Sequence, residues 1–195
     1  MFTGIIEAVG EIFSIEKSGT NLHFTINSKI SNELKIDQSV AHNGVCLTVT
    51  NVFDDQHCVT AVEETLNKTT LGNLRVGDLL NLERCMVANG RFDGHIVQGH
   101  IDQTAVCIKS EDVDGSWLFE FEYDAALGNV TVEKGSITIN GVSLTCFNSK
   151  EDKFTVTIIP YTMENTSFSH LKVKNTVNLE FDIIGKYVSR LLNKG

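Results

Sequence analysis

Proline is almost absent from this chain: Pro160 is the only one in 195 residues, and Trp117 is the only tryptophan. With no Gly-X-Y period and no low-complexity tract, a collagen-like or Pro-rich architecture is excluded. A basic excess is also missing. The net charge is −9, and a split at residue 90 leaves −5 and −4 on the two halves, so no cationic half is masked by an acidic one. Phosphate recognition relies on clustered Lys and Arg, which makes nucleic acid and anionic membrane poor partners. No apolar run approaches the roughly 18 residues that a membrane-spanning helix needs. Met1-Phe2-Thr3-Gly4-Ile5-Ile6-Glu7 carries no basic segment, so neither a secretory signal nor a transit peptide is expected there. The five cysteines (Cys46, Cys58, Cys85, Cys107 and Cys146) are odd in number and far apart. They predict free thiols and a reducing cytoplasm rather than a disulfide framework.

The usual cofactor cradles are missing too. There is no G-x-G-x-x-G, no P-loop and no G-x-S-x-G. His95 and His100 lie five apart and His57 adjoins Cys58, spacings that match no common zinc ligand set. No metal and no tightly bound nucleotide is expected.

What the chain does have is a duplication. Asn43-Gly44-Val45-Cys46-Leu47-Thr48 returns ninety-seven residues later as Asn140-Gly141-Val142-Ser143-Leu144-Thr145. Residues 39–83 laid on 136–180 give 17 identities in 45 without a gap, where about three would arise by chance at ordinary composition. The starts of the two copies match at an offset of 95, with Thr3-Gly4-Ile5-Ile6 over Gln98-Gly99-His100-Ile101. The period is domain-sized, too long for a solenoid repeat.

Both copies read as all-β. Val40–Val52 and Ile137–Phe147 are rich in Val, Ile, Thr and Phe and are broken by Asn-Gly, a hairpin signal. Further strands are predicted over 4–14, 21–27, 57–62, 79–84, 99–109, 116–122, 153–159 and 176–182, with short helical turns over 29–35, 63–70 and 162–169. Such spacing suggests a small closed barrel or sandwich in each half. At the C-terminus, Ile184, Tyr187, Val188, Leu191 and Leu192 form a helical apolar stripe, with Lys186, Arg190 and Lys194 off it. That stripe either packs on its own barrel or joins other copies of the chain, since about ten residues of helix do not persist alone in water.

Period-2 alternation puts Val45, Leu47 and Val49 on one face of a strand and Cys46, Thr48 and Thr50 on the other. Val142 and Leu144 are likewise separated from Ser143 and Thr145. The aliphatic face should fill the barrel and the small polar face point outward, free to meet a ligand; half-exposed strands also favour Thr and Ser for packing reasons alone. The copies differ at chemically important places. His100 stands where the first copy has Ile5, and Ser143 where it has Cys46. Two similar pockets of unequal chemistry suit a reaction that joins two similar molecules in unequal roles. His100 is the candidate proton carrier, with His95 set behind it, although a lone histidine is more often structural.

Met1-Phe2-Thr3-Gly4-Ile5-Ile6, Asn43-Gly44-Val45-Cys46-Leu47-Thr48-Val49-Thr50, Glu64-Thr65-Leu66, Gly94-His95-Ile96-Val97-Gln98-Gly99-His100-Ile101-Asp102 and Lys134-Gly135-Ser136, in this order, resemble the riboflavin synthase family of the alpha-chain type. The resemblance runs from residue 1 to about 190. It implies an all-β chain of two tandem six-stranded Greek-key barrels related by a pseudo-twofold axis: an N-terminal lumazine-binding barrel over 1–90, a C-terminal one over 91–183, and a short trimerisation helix over 184–195. It further implies a cytoplasmic homotrimer that converts two molecules of 6,7-dimethyl-8-ribityllumazine into riboflavin and 5-amino-6-(ribitylamino)uracil, without metal or external cofactor. The active site would lie where the N-barrel of one subunit meets the C-barrel of its neighbour. Some relatives associate with a lumazine synthase shell, which makes lumazine synthase a candidate partner.

Carried over residue by residue, the N-barrel pocket would comprise Cys46, Leu47, Thr48, Thr60, Ala61, Val62, Glu63, Glu64 and Thr65, approached by Gly99, His100, Ile101 and Lys134. The C-barrel pocket would comprise Ser143, Leu144, Thr145, Thr157, Ile158, Ile159, Pro160, Tyr161 and Thr162, approached by Gly4, Ile5 and Ile6. His100, Ser143, Cys46, Thr48 and Thr145 are the implied catalytic groups, and Asp182 a further polar group near them. Asn140, Tyr161, Cys146 and Val62-Glu63 depart from the family's usual residues. Two competing readings are a non-catalytic lumazine- or flavin-binding fluorescent protein of the same fold and a barrel that binds single-stranded nucleic acid. Both Leu-Thr motifs are intact, against the first, and both halves are acidic, against the second.

Overall fold

The computed structural model describes residues 1–192. In the first half, β1 (Ala8–Ser18), β2 (Asn21–Asn27), β3 (Ser39–His42), β4 (Val45–Phe53), β5 (Gln56–Ala61) and β6 (Leu79–Arg84) close an antiparallel barrel in the order β1-β2-β5-β4-β3-β6. In the second half, β7 (Gln103–Asp112), β8 (Trp117–Tyr123), β9 (Ser136–Ile139), β10 (Val142–Phe147), β11 (Lys153–Ile158) and β12 (Thr176–Phe181) repeat the same cyclic order. Closure leaves neither sheet with an open edge. Between β5 and β6 lies the short helix α1 (Glu63–Lys68), and between β11 and β12 its counterpart α2 (Pro160–Asn165); each is followed by a 3-10 turn. A third helix, α3 (Ile183–Leu192), ends the described chain.

Alternation along the strands sorts side chains as the sequence predicts. Val45, Leu47 and Val49 are buried in the first barrel, while Thr48 and Thr50 are exposed and Cys46 is half-buried. The second barrel is filled largely by aromatics, with Phe119 packed edge-on against Phe168 at 5.3 Å between ring centres. The first barrel instead buries two histidines, His42 and His57, where the second has Ile139 and Phe154.

Two expectations need correction. Strands predicted to start at residues 4 and 99 start at Ala8 and Gln103. The backbone ahead of each has other partners: Phe2 N donates to Val97 O at 2.7 Å and Val97 N returns to Phe2 O at 3.1 Å. Those two residues are equivalent by the 95-residue offset, so the two copies clasp each other at their own starts. The second correction concerns the helix. Its stripe does not pack on its own barrel: Ile184, Tyr187, Val188, Leu191 and Leu192 are all at least half exposed. Residues 193–195 of the expected trimerisation segment, Lys194 included, lie outside the described residues.

The barrels are joined by an asparagine interlock. Asn43 Oδ1 accepts from Asn81 N, and Asn140 Oδ1 from Asn178 N, both at 2.8 Å. Across the boundary, Asn81 Nδ2 donates to Asn140 O at 2.8 Å and Asn178 Nδ2 to Asn43 O at 2.9 Å. Asn43 and Asn140 sit in the left-handed region, both at φ 46, a conformation that Asn tolerates better than most residues. The Asn-Gly turns thus serve as hairpins and as the contact between barrels.

Candidate active site

The outward face of β10 forms the floor of a cavity of about 660 Å³, within the range of small-molecule pockets. Ser143 and Thr145 come from β10, Thr157 and Ile159 from β11 and its exit, and Thr162 from α2. Lys134, just before β9, closes one side with its ammonium 5.2 Å from the Phe147 ring centre. The wall is mixed: hydroxyls able to donate or accept, aliphatic surface, the Lys134 ammonium and the Asp93 carboxylate.

Each half's leading segment reaches the other half's polar strand. Ser143 N donates to Gly4 O, and Cys46 N to Gly99 O, both at 2.8 Å. Gly4 therefore lies on the C-barrel strand and Gly99 on the N-barrel strand. Their φ angles are +77 and +82, and a Cβ on either would stand 2.5 Å from the Cβ of Ser143 or Cys46. Only glycine fits such an approach. The aliphatic neighbours follow the same exchange: Ile6 packs on the second core and Ile101 on the first.

Two buried carboxylates hold these segments. Glu83, at the end of β6, accepts from Thr3 N at 2.7 Å, Thr3 Oγ1 at 3.0 Å and Gly4 N at 3.0 Å. Its counterpart Glu180 accepts from Gln98 N at 2.6 Å, Gly99 N at 2.8 Å and His100 N at 2.9 Å. Burial pushes both carboxyls above their ordinary range, and the bound N–H groups pull them back. Both glutamates lie within the 17 identities, yet nothing local to them in the sequence shows that they grip loops about 80 residues away.

The two histidines sit in different surroundings. The His100 imidazole is exposed; what is held is its backbone N–H. His95 is half-buried, its Nδ1 2.6 Å from Ser143 Oγ and its Nε2 3.1 Å from Thr138 Oγ1. Burial lowers its pKa, while the charge of Asp182 acts in the opposite sense. Asp182 also accepts from Ile184 N at 2.9 Å, which caps α3. Position 95 is equivalent to a residue before Met1, so the repeat comparison had no counterpart through which to single it out.

The remaining predicted positions divide by strand register. Thr48 and Thr145 are exposed beside Cys46 and Ser143. Thr60 is half-buried and 2.8 Å from His23 Nδ1, and Thr65 is half-buried on α1. Leu47, Ala61 and Ile158 point into the barrel interiors, so only their backbone can meet a ligand; Leu144 packs on the second core and also borders the cavity. Val62, Glu63, Glu64, Pro160 and Tyr161 are exposed around the starts of α1 and α2, and Glu64 pairs with Lys68 at 2.9 Å. Ile5 is exposed beside Gly4. Within one chain Lys134 lines the Ser143 cavity, because it enters β9 of the same barrel; its expected approach to the Cys46 pocket is across the boundary between subunits. Among the described residues no cluster of three or more His, Cys, Asp or Glu gathers as a metal site requires.

Two closed barrels, each with an outward polar strand crossed by a glycine segment of the other half, define a duplicated small-molecule-binding β-barrel protein. Residues 3–85 and 98–182 each match the family profile of the lumazine binding domain, and the chain belongs to that family. It is 45% identical to riboflavin synthase of Bacillus subtilis (strain 168), across all of this chain and 91% of that protein. Riboflavin synthase of Photobacterium phosphoreum is 37% identical, with 98% and 89% covered. Among solved structures, LumP complexed with riboflavin superposes with a TM-score of 0.85 at 23% identity, over 92% of this chain and 98% of that one. LumP complexed with 6,7-dimethyl-8-(1'-D-ribityl) lumazine gives 0.83 at 22% identity with the same coverage. At those identities the LumP structures speak to the fold alone.

Proposed function

We propose that this chain is a riboflavin synthase, dismutating two molecules of 6,7-dimethyl-8-ribityllumazine into riboflavin and 5-amino-6-(ribitylamino)uracil. The observation that carries the reading is the exchange of Gly4 and Gly99 between two equivalent polar strands, one bearing Ser143 and the other Cys46. It gives one site per substrate molecule with unequal chemistry. Relatives named riboflavin synthase, matched along almost their whole length, support it. One lumazine donates a four-carbon unit to the other; the two products together contain every atom of the two substrates, so no external oxidant or reductant is consumed. Holding two rings face to face supplies much of the rate through proximity.

Proton handling falls to His95, His100 and the hydroxyls. A neutral His95 accepts the Ser143 proton at Nδ1, which prepares the oxygen for addition at C7 of the ring. His100, Cys46 and Thr48 serve the acidic C7 methyl of the lumazine in the N-barrel pocket, Thr145 stands beside Ser143 in the C-barrel pocket, and Asp182 steadies charge that develops on His95. On the same reading the chain is a cytoplasmic homotrimer: the exposed stripe of α3 joins three copies, and the active site forms between the N-barrel of one subunit and the C-barrel of the next. The units run over 1–90, 91–183 and 184–195. Lumazine synthase is a candidate partner.

Incubating the purified chain with 6,7-dimethyl-8-ribityllumazine and a chelator should produce riboflavin absorbance. Stoichiometric binding without product would instead mean a non-catalytic lumazine-binding protein. His100→Ala and His95→Gln are each expected to lower kcat by about 10²-fold with little change in ligand affinity, the range for loss of a general acid or base. Unchanged turnover in either variant removes that histidine from the mechanism.

A further inference from the structure

Each barrel holds its leading segment with a pair of acids, but the two pairs receive their positive charge from different places. In the first half Glu7 Oε1 accepts from Arg84 N at 2.7 Å, and Glu7 Oε2 takes the Arg84 side chain, with Nε at 2.8 Å. Arg84 lies on β6, next to Glu83. In the second half Asp102 Oδ2 accepts from Phe181 N at 2.8 Å, the equivalent backbone bond. Position 181 carries no charge, and the cation comes from the helix: Lys186 Nζ lies 2.6 Å from Asp102 Oδ2, with only about a fifth to a quarter of either side chain exposed.

Lys186 also acts electrostatically on Glu180, the buried acid that accepts from Gln98 N, Gly99 N and His100 N. Without Lys186, two acids at one loop lose their counter-charge in a poorly solvated place, and a carboxylate left unpaired there is costly. We infer that Lys186 is a positioning residue: from the C-terminal helix it holds segment 98–102, and with it Gly99 and His100, over Cys46. The two halves then differ in a functionally useful way. The segment at Ser143 takes its counter-charge from within its own barrel sheet, whereas the segment at Cys46, besides its bonds to Glu180 and Phe181 N, takes its counter-charge from α3. Seating of α3 is thereby coupled to completion of one of the two sites. The catalytic part of this inference rests on the function proposed above; the structural part does not.

The test uses the full-length chain and three variants, Lys186→Met, Lys186→Arg and Arg84→Met, read by amide hydrogen exchange, by steady-state kinetics with 6,7-dimethyl-8-ribityllumazine and by sedimentation. Lys186→Met should speed exchange at Gly99 and His100 by about tenfold, as expected for loss of a half-buried charge-assisted contact, and leave Thr3 and Gly4 as in wild type. Its kcat should fall by a similar factor with KM little changed, and Lys186→Arg should restore both. Arg84→Met should give the mirror image, loosening Thr3 and Gly4 and sparing Gly99 and His100. Wild-type exchange at Gly99 and His100 in Lys186→Met would overturn the inference. So would equal acceleration in both segments, a changed assembly mass with segment 98–102 intact, or no rescue by arginine. If the wild-type chain makes no riboflavin, the proposed function fails while the exchange data still decide the role of Lys186.

Discussion

Replacing Gly99 with alanine is expected to destabilise the protein by about 3–5 kcal/mol, at the upper end for a point substitution, and to remove synthase activity. The new Cβ would lie 2.5 Å from Cys46 Cβ, 2.9 Å from Phe2 Cε2 and 3.0 Å from Cys46 N. Two of these contacts belong to the strand and to its backbone, not to the tip of a flexible side chain, so the segment itself must move. Movement breaks the Cys46 N to Gly99 O bond and the three bonds to Glu180. A buried carboxylate stripped of its donors is then left behind. Gly4→Ala should do the same at Ser143. Gly19 is the control: its φ is +62 but a Cβ there meets nothing within 4 Å, so Gly19→Ala should cost only about 1–2 kcal/mol for left-handed backbone. Urea unfolding of the three variants decides the matter, and a Gly99→Ala midpoint no lower than that of Gly19→Ala would contradict the steric argument.

The second large effect is a loss of stability in mild acid that originates in the first barrel. His42 Nδ1 must donate to the Val40 carbonyl at 3.0 Å, so its Nε2 is the acceptor for His57 Nε2–H at 2.9 Å. His57 Nδ1 then accepts from the Ser31 hydroxyl at 2.8 Å. All three residues are essentially inaccessible to water. In register they face Ile26 and Val52 beside His57, and Val45 and Leu82 beside His42. Among the described residues no carboxylate contributes to the shift of either ring. Burial, with the neighbouring His57 as the next contribution, takes the His42 pKa to about 3; burial takes that of His57 to about 4.

The unfolded chain protonates both rings below about pH 6.5, whereas the folded chain keeps them neutral down to about 4 and 3. The unfolded state therefore binds more protons as pH falls, and stability declines from about pH 6.5 downward. The slope is about 1.4 kcal/mol per histidine per pH unit, or about 4 kcal/mol for the pair between pH 7 and 5. Glu83 and Glu180 oppose this: their raised pKa values contribute stability in acid that is lost as pH rises through the carboxylate range. The net loss is expected to be about 2–4 kcal/mol. Substituting the second barrel's residues, as His42→Ile with His57→Phe and Ser31→Ala, should flatten the profile. Denaturant unfolding at pH 7 and pH 5 measures it, and an equally steep profile in the triple variant would place the acid sensitivity elsewhere.

Much of the architecture was legible because its determinants are local or repeated. The 97-residue offset located both barrels, and period-2 alternation separated Leu47 from Thr48 without reference to any distant residue. The starts of β1 and β7 were misplaced because Ile5, Ile6 and Ile101 have strand-like composition, while what withdraws them from the sheet is a bond to the opposite barrel. His95 carries no local signal for a similar reason: its partners Ser143 and Thr138 lie more than 40 residues away.

The amino-acid sequence by itself determined the duplicated all-β fold, the inward and outward faces of β4 and β10, and the inequality between Ser143 and Cys46. These follow from side-chain direction along an extended backbone, which is set residue by residue. Only the tertiary structure decided which segment crosses which strand, that Glu83 and Glu180 hold the crossing segments, that His95 meets Ser143, and that Lys186 replaces the strand-borne cation of the first half. Each of these is a contact between residues far apart in the chain, and no local period or propensity encodes it.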